Sequence, residues 1–164
     1  VESAGIPFQT MEYEVNEEDL SGVHAAQMIG MPCEQVFKTL VLRGEKTGYF
    51  VCCIPVDMEL DLKKVAKAAG DKKAEMIPMK DLFSVTGYIR GGCSPIGMKK
   101  KFPTYLDETA QLFEEIAVSA GKRGEQILIH PDALTELTDG KYADLIRGEL
   151  KCGKWNLKWK DQTL

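Results

Sequence analysis

Histidine is the scarcest chemically useful residue in this 164-residue chain, which has only His24 and His130. A Ser–His or Cys–His nucleophile would have to recruit one of these two. His24 falls on an expected helix and His130 just before Pro131, positions that suit capping or the surface better. The five cysteines (Cys33, Cys52, Cys53, Cys93 and Cys152) include no C-x-x-C pair. Cys52 and Cys53 are adjacent, so on a strand they face opposite ways. With so few ligands a zinc site is not expected. An odd, irregularly spaced set of thiols also argues against a disulfide framework and suits a reducing cytoplasm. No apolar run approaches the roughly 20 residues that span a bilayer. The opening "VESAGIPFQT" lacks the basic and apolar blocks of a signal peptide. G-x-S-x-G, the Walker loop, H-E-x-x-H and G-x-G-x-x-G are all missing.

What is present supports one folded domain, since 44% of the residues are hydrophobic. The net charge of −4 and pI near 5.3 are a poor basis for general nucleic-acid binding. Phosphate contacts would have to be local. Two basic clusters exist, Lys99–Lys100–Lys101 and Lys122–Arg123.

Patterning predicts a mixed order of elements. "PFQTMEYEV" reads as a strand. "EEDLSGVHAAQMIGMP" reads as a helix with Asp19 as N-cap and Gly30 as stop. "VFKTLVLRGEKTGYFVCCIPV" reads as a hairpin turning between Gly44 and Gly48. "DLKKVAKAAG" is a helix capped by Asp61 and ended by Gly70, with Leu62, Val65, Ala66 and Ala69 along one side. Short helices are expected in "PMKDLFSVTG" and "DETAQLFEEI". "AVSAGKRGEQILIHP" reads as strand, glycine turn, strand, and "PDALTELTDG" as a helix with Pro131 in its first turn. The tail "KWNLKWK" alternates as an edge strand would. Its tryptophans suit packing more than base stacking. The fold class is therefore mixed α/β, a mixed sheet or small barrel with helices outside.

Two features carry chemical interest. Lys38 lies inside "QVFKTLVL", where both faces of a strand would be mostly apolar. Its ammonium must be paired, reach the strand edge, or enter a polar cavity. From these residues alone the escape to water is slightly favoured. "GYIRGGCSPIG" is a glycine-rich loop whose backbone amides, around Gly91 and Gly92, can converge on a carbonyl oxygen or an anion. Ser94 adds a hydroxyl and Pro95 stiffness, although the same composition makes ordinary turns. Cys93 sits in this loop and reads first as a buried or loop thiol.

Taken in order, "VFKTLVL", "LDLKKVAKAAGDKKAEM", "TGYIRGGCSPIGMKKKFPTYLD" and "VSAGKRG" resemble the YbaK/EbsC family. These are free-standing aminoacyl-tRNA deacylases related to the editing domain of bacterial prolyl-tRNA synthetase. The resemblance runs from about Ile6 to Arg147 and is strongest to the Cys-tRNA(Pro) deacylase branch. It implies a barrel-like sheet flanked by helices with a pocket between. The deacylase domain would occupy residues 1–147 and a C-terminal extension residues 148–164. Lys38 would be the critical pocket lysine. The substrate would be held by Tyr13, Thr39, Gly91, Gly92, Ser94, Pro95, Ser119 and Gly121. The tRNA would be held by Lys99, Lys100, Lys101, Lys122 and Arg123. Gln126 stands where some relatives carry an acidic residue, and no catalytic role is assigned to it. No metal or cofactor is implied. The expected partners are tRNA(Pro) charged with the wrong amino acid and prolyl-tRNA synthetase, in the cytoplasm. Rival readings are a deacylase for Ala- or another small-amino-acid-tRNA, and a non-catalytic tRNA- or synthetase-binding regulatory module.

Overall fold

The apolar run around Lys38 becomes the second strand of a computed structural model that describes residues 6–148. Strands β2 (Phe37–Gly44) and β3 (Gly48–Pro55) form the expected antiparallel hairpin, with Lys38 opposite Ile54 and Gly44 opposite Gly48. The turn is fastened from outside. The Asp71 carboxylate accepts from the backbone N–H groups of Lys46 and Thr47, both at 2.9 Å, and these bonds hold its pKa well below the usual carboxylate range.

This hairpin is the centre of a five-stranded sheet. Strand β4 (Ala74–Met76) runs antiparallel to the far end of β2, β5 (Thr104–Asp107) runs parallel to β3, and β8 (Lys141–Ala143) runs parallel to β5. Strands β1 (Gln9–Glu12), β7 (Glu125–Ile129) and β6 (Ile116–Ser119) form a second, fully antiparallel sheet in that spatial order. A parallel bridge from Val36 to Ala117 joins the two sheets just before β2 begins. The architecture is the mixed, barrel-like α/β arrangement expected from the sequence.

Because β2 is covered on both sides, its residues divide between two cores. Phe37 and Val41 join Val51, Leu106, Ile116 and Ile127 in the core between the sheets. Leu42 joins Phe50, Ile54 and Val65 beneath helix α2 (Leu62–Ala69). Helix α1 (Gly22–Ile29) closes the second sheet through Ala26 and Ile29 against Ala117 and Leu128.

Local chemistry explains the helix ends. Asp61 caps α2 by accepting from the N–H groups of Lys63 and Lys64, and Gly70 ends it in the left-handed region. Helix α3 (Leu82–Thr86) stops at Gly87, and α4 (Pro131–Thr138) starts with Pro131 in its first turn. Two expectations need correction. The N-cap of α1 is Ser21, whose Oγ accepts from His24 N–H at 3.2 Å. Asp19 instead accepts from the Ser21 N–H and hydroxyl, orienting the cap rather than forming it. "DETAQLFEEI" forms only a 3₁₀ turn, Glu108–Leu112, because Asp107 caps it and Phe113 is already extended. The short strands β4 and β8 are additions that tertiary pairing supplies. The "KWNLKWK" tail and Cys152 lie outside the described residues. Among those residues no helix is long and apolar enough to cross a membrane.

Candidate active site

A cavity of about 360 Å³ opens beside β2, between α1, the 76–82 segment and the glycine loop. Its walls are largely apolar, with Val36, Phe37, Leu40, Val41, Val56 and Leu82 among them. Polar groups enter from separate elements: Lys38 and Thr39 from β2, Tyr13 from the segment after β1, Ser119 from β6, Gln126 from β7 and Arg90 from the loop. A small apolar hollow with a few converging polar groups is the usual form of a ligand site. Among the described residues, the lining contains no carboxylate and no imidazole.

Lys38 is half-buried. Its burial lowers its pKa, and the Glu59 and Asp57 carboxylates partly offset that by favouring the charge. Neither lies close enough for an ion pair; Glu59 instead faces Arg147 at 3.5 Å. Lys38 therefore lines the cavity without a salt-bridge partner among the described residues.

The glycine loop forms another part of the wall through Arg90, Gly91 and Cys93. Gly91 adopts φ +83°, a conformation that favours glycine, and lines the cavity together with Cys93. The Gly92 N–H donates to Ile89 C=O at 3.0 Å, so this amide is engaged in the turn and does not serve as an anion donor. The amides of Gly91 and Cys93 have no backbone acceptor among the described residues, and both residues line the cavity. Gly92 has a different duty. A Cβ there would sit 3.1 Å from the backbone of Lys122 and Arg123, so glycine lets the two loops touch. Gly92→Ala is expected to destabilise the fold by about 1–3 kcal/mol, read as a lower urea midpoint, because backbone cannot swing aside as a side-chain tip can.

Ser94 and Pro95 are buried and do not line the cavity. The Ser94 Oγ accepts from Ile96 N–H at 3.2 Å, shaping the turn. Gly121, at φ +104°, packs against the Tyr88 ring, and its N–H donates to Ser119 Oγ at 3.2 Å. It thus supports a cavity residue without facing the cavity. Cys93 does face it, but burial pushes its thiol up to about 11, leaving it protonated and a weak nucleophile near neutral pH.

The basic clusters are partly occupied within the chain. Lys101 pairs with Asp139, and Lys122 with Glu125 at 3.1 Å. Arg123 donates through Nε to Arg90 C=O at 2.9 Å and through a terminal nitrogen to Glu17 at 2.8 Å. It therefore clamps the glycine loop to the segment before α1, a role its place in a basic pair did not suggest. Lys99 and Lys100 have no ion pair among the described residues.

The family model for the aminoacyl-tRNA editing domain matches residues 18–137. The chain belongs to this family.

The matched stretch contains Lys38, Thr39, the glycine loop and Ser119, while Tyr13 precedes it. The chain is also 52% identical over 149 residues to EbsC of Enterococcus faecalis, covering 91% of each chain; that protein is provisionally named a Cys-tRNA(Pro)/Cys-tRNA(Cys) deacylase. It is 30% identical over 74 residues to a proline–tRNA ligase of Fervidobacterium nodosum, spanning 45% of this chain and 13% of the ligase. A solved structure described provisionally as a trans-editing enzyme for prolyl-tRNA synthetase superposes with a TM-score of 0.76 at 28% identity, covering 86% of this chain and 87% of the other.

Proposed function

We propose that this editing domain hydrolyses tRNA(Pro) mischarged with cysteine, with residues 1–147 as the deacylase unit. One observation carries the mechanism: a small, largely apolar cavity is lined by the half-buried Lys38 and, among the described residues, by no carboxylate or imidazole that could act as a base. An aminoacyl ester is already activated, so positioning and stabilisation of the developing oxyanion are the main requirements. Lys38 holds the terminal ribose or its phosphate, and the amides of Gly91 and Cys93 meet the carbonyl oxygen. Thr39, Tyr13 and Ser119 orient the aminoacyl group.

The substrate supplies the nucleophile. The cysteinyl sulfur bonds to its own ester carbon, the ester C–O bond breaks, and the thiol proton ends on the ribose oxygen. The tRNA leaves with a free hydroxyl, and the cyclic thioester is opened by water. A neighbouring ribose hydroxyl can take the same assisting part for amino acids without a thiol. The described cysteines are all unpaired thiols, which supports a reducing cytoplasmic setting. Resemblance to a proline–tRNA ligase supports prolyl-tRNA synthetase as a partner.

The test is deacylation of tRNA(Pro) charged in turn with Cys, Ala, Ser or Pro. Release of Cys well above the others is expected. Release of Ala alone would assign the site to a different small amino acid, and binding without turnover on any of the four would make the protein a tRNA-binding module.

A further inference from the structure

Exposed apolar side chains lie on the two segments that contribute to the cavity lining through Met79, Leu82 and Arg90. Met79 and Phe83 are 59% and 58% exposed, and Ile89 is 47% exposed. The segment is continuous with the cavity, because Met79 and Leu82 belong to its lining. Leaving such a patch in water is unfavourable, and contiguous exposed patches mark binding sites.

The charge beside the patch narrows the occupant. The Lys99 ammonium lies over the Phe83 ring, 5.2 Å from its centroid. Its position is built rather than casual. Lys99 N–H donates to Thr86 C=O at 3.0 Å, and the Thr86 hydroxyl donates to Leu82 C=O at 2.8 Å, linking the lysine to the turn that presents Phe83. An exposed aromatic ring with a cation over one face suits a nucleobase stacked on the other face, with the adjoining phosphate at the cation. Lys80 adds charge on the same segment, with Asp81 as the one neighbouring carboxylate in that turn.

We infer that Phe83, flanked by Met79 and Ile89, is the stacking platform for the unpaired 3′-terminal adenine of the tRNA, with Lys99 on the adjoining phosphate. The inference rests on the editing reading. If the aminoacyl group fills the cavity, the base on the same ribose must lie just outside it, and Phe83 directly follows Leu82 of the cavity lining.

The experiment uses uncharged tRNA(Pro) with 2-aminopurine in place of the terminal adenine. Stacking on an aromatic ring quenches this probe. The unmodified protein is expected to quench it on binding. Phe83→Ala should abolish the quench and weaken binding about tenfold or more, with an unchanged melting temperature because the ring is exposed. Phe83→Leu, which keeps apolar bulk without a π face, should also lose the quench, and Phe83→Trp should retain it. Equal quenching and affinity in Phe83→Ala would overturn the platform, as would binding by the unmodified protein with no quench. So would a change of oligomeric mass in Phe83→Ala with the quench intact, which would give the patch to a second copy. The two readings fail separately. Deacylation by the unmodified protein with no Phe83 effect sinks the platform alone. Absence of deacylation on all four charged tRNAs sinks the editing reading, while the quench still reports whether the base is seated.

Discussion

Lys38→Ala is expected to lower kcat/KM for Cys-tRNA(Pro) deacylation by about 10²–10³-fold, the scale of losing one preorganised electrostatic contact to a developing charge. Melting temperature should change little or rise, because truncation removes a charge whose burial disfavours it. The pH profile gives a second signature. Burial lowers the Lys38 pKa below the usual lysine value of 10.5, so its proton is lost at a lower pH than a free lysine's. If the cation is needed, the contribution of Lys38 to kcat/KM is full below that value and is lost as pH rises through it, after subtraction of spontaneous ester hydrolysis. In Lys38→Arg the guanidinium stays charged, and this alkaline limb should disappear from the accessible range. An unmodified rate in Lys38→Ala would remove the lysine from the mechanism.

Asp107→Ala should be the most destabilising substitution of a polar side chain here. Asp107 is fully buried. One carboxylate oxygen accepts from the Thr109 hydroxyl at 2.6 Å and its N–H at 3.1 Å, and the other accepts from Leu145 N–H at 2.9 Å. Removing the side chain strands these donors in the core, at a cost of about 2–4 kcal/mol. For a chain of this size that is a fall of very roughly 4–16 °C in melting temperature. Asp107→Asn keeps one acceptor but turns an N–H₂ toward one set of donors, so it should fall between the two. Calorimetry of the three proteins checks the order, and equal stability of all three would show that the network contributes nothing.

Much of the fold was legible because its signals are local. Asp61 and Gly70 bracket α2, Gly44 and Gly48 bound the hairpin turn, and the apolar run around Lys38 announced a strand covered on both faces. The Ser21 cap was misread as Asp19, since both residues are good caps and the choice depends on which of them has extended backbone. Strand β8 has three residues and forms only because β5 offers it an edge.

The site divided along the same line. The residues themselves singled out Lys38 and the glycine loop, the family resemblance added Tyr13, Thr39 and Ser119, and these three line one cavity with Lys38 and Gly91. The wall contributed by Ser21, Gly22, Ala25 and the 76–82 segment carried no chemical signal, because those residues act by shape. Nor could the link from Arg123 to Glu17 be read, since 106 positions separate its ends.

The way the sheets are completed bears on how this protein is made. Strand β1 pairs with β7, and β8 pairs with β5, so each sheet borrows a strand from outside the family-matched 18–137 stretch. On the ribosome, the first strand must wait through more than a hundred residues for its neighbour. The exposed flank of β5 stays open until Lys141–Ala143 emerges. Unpaired sheet edges invite wrong partners during such a delay. The nascent chain is therefore vulnerable to aggregation in the interval after its hairpin has formed and before β8 pairs with β5.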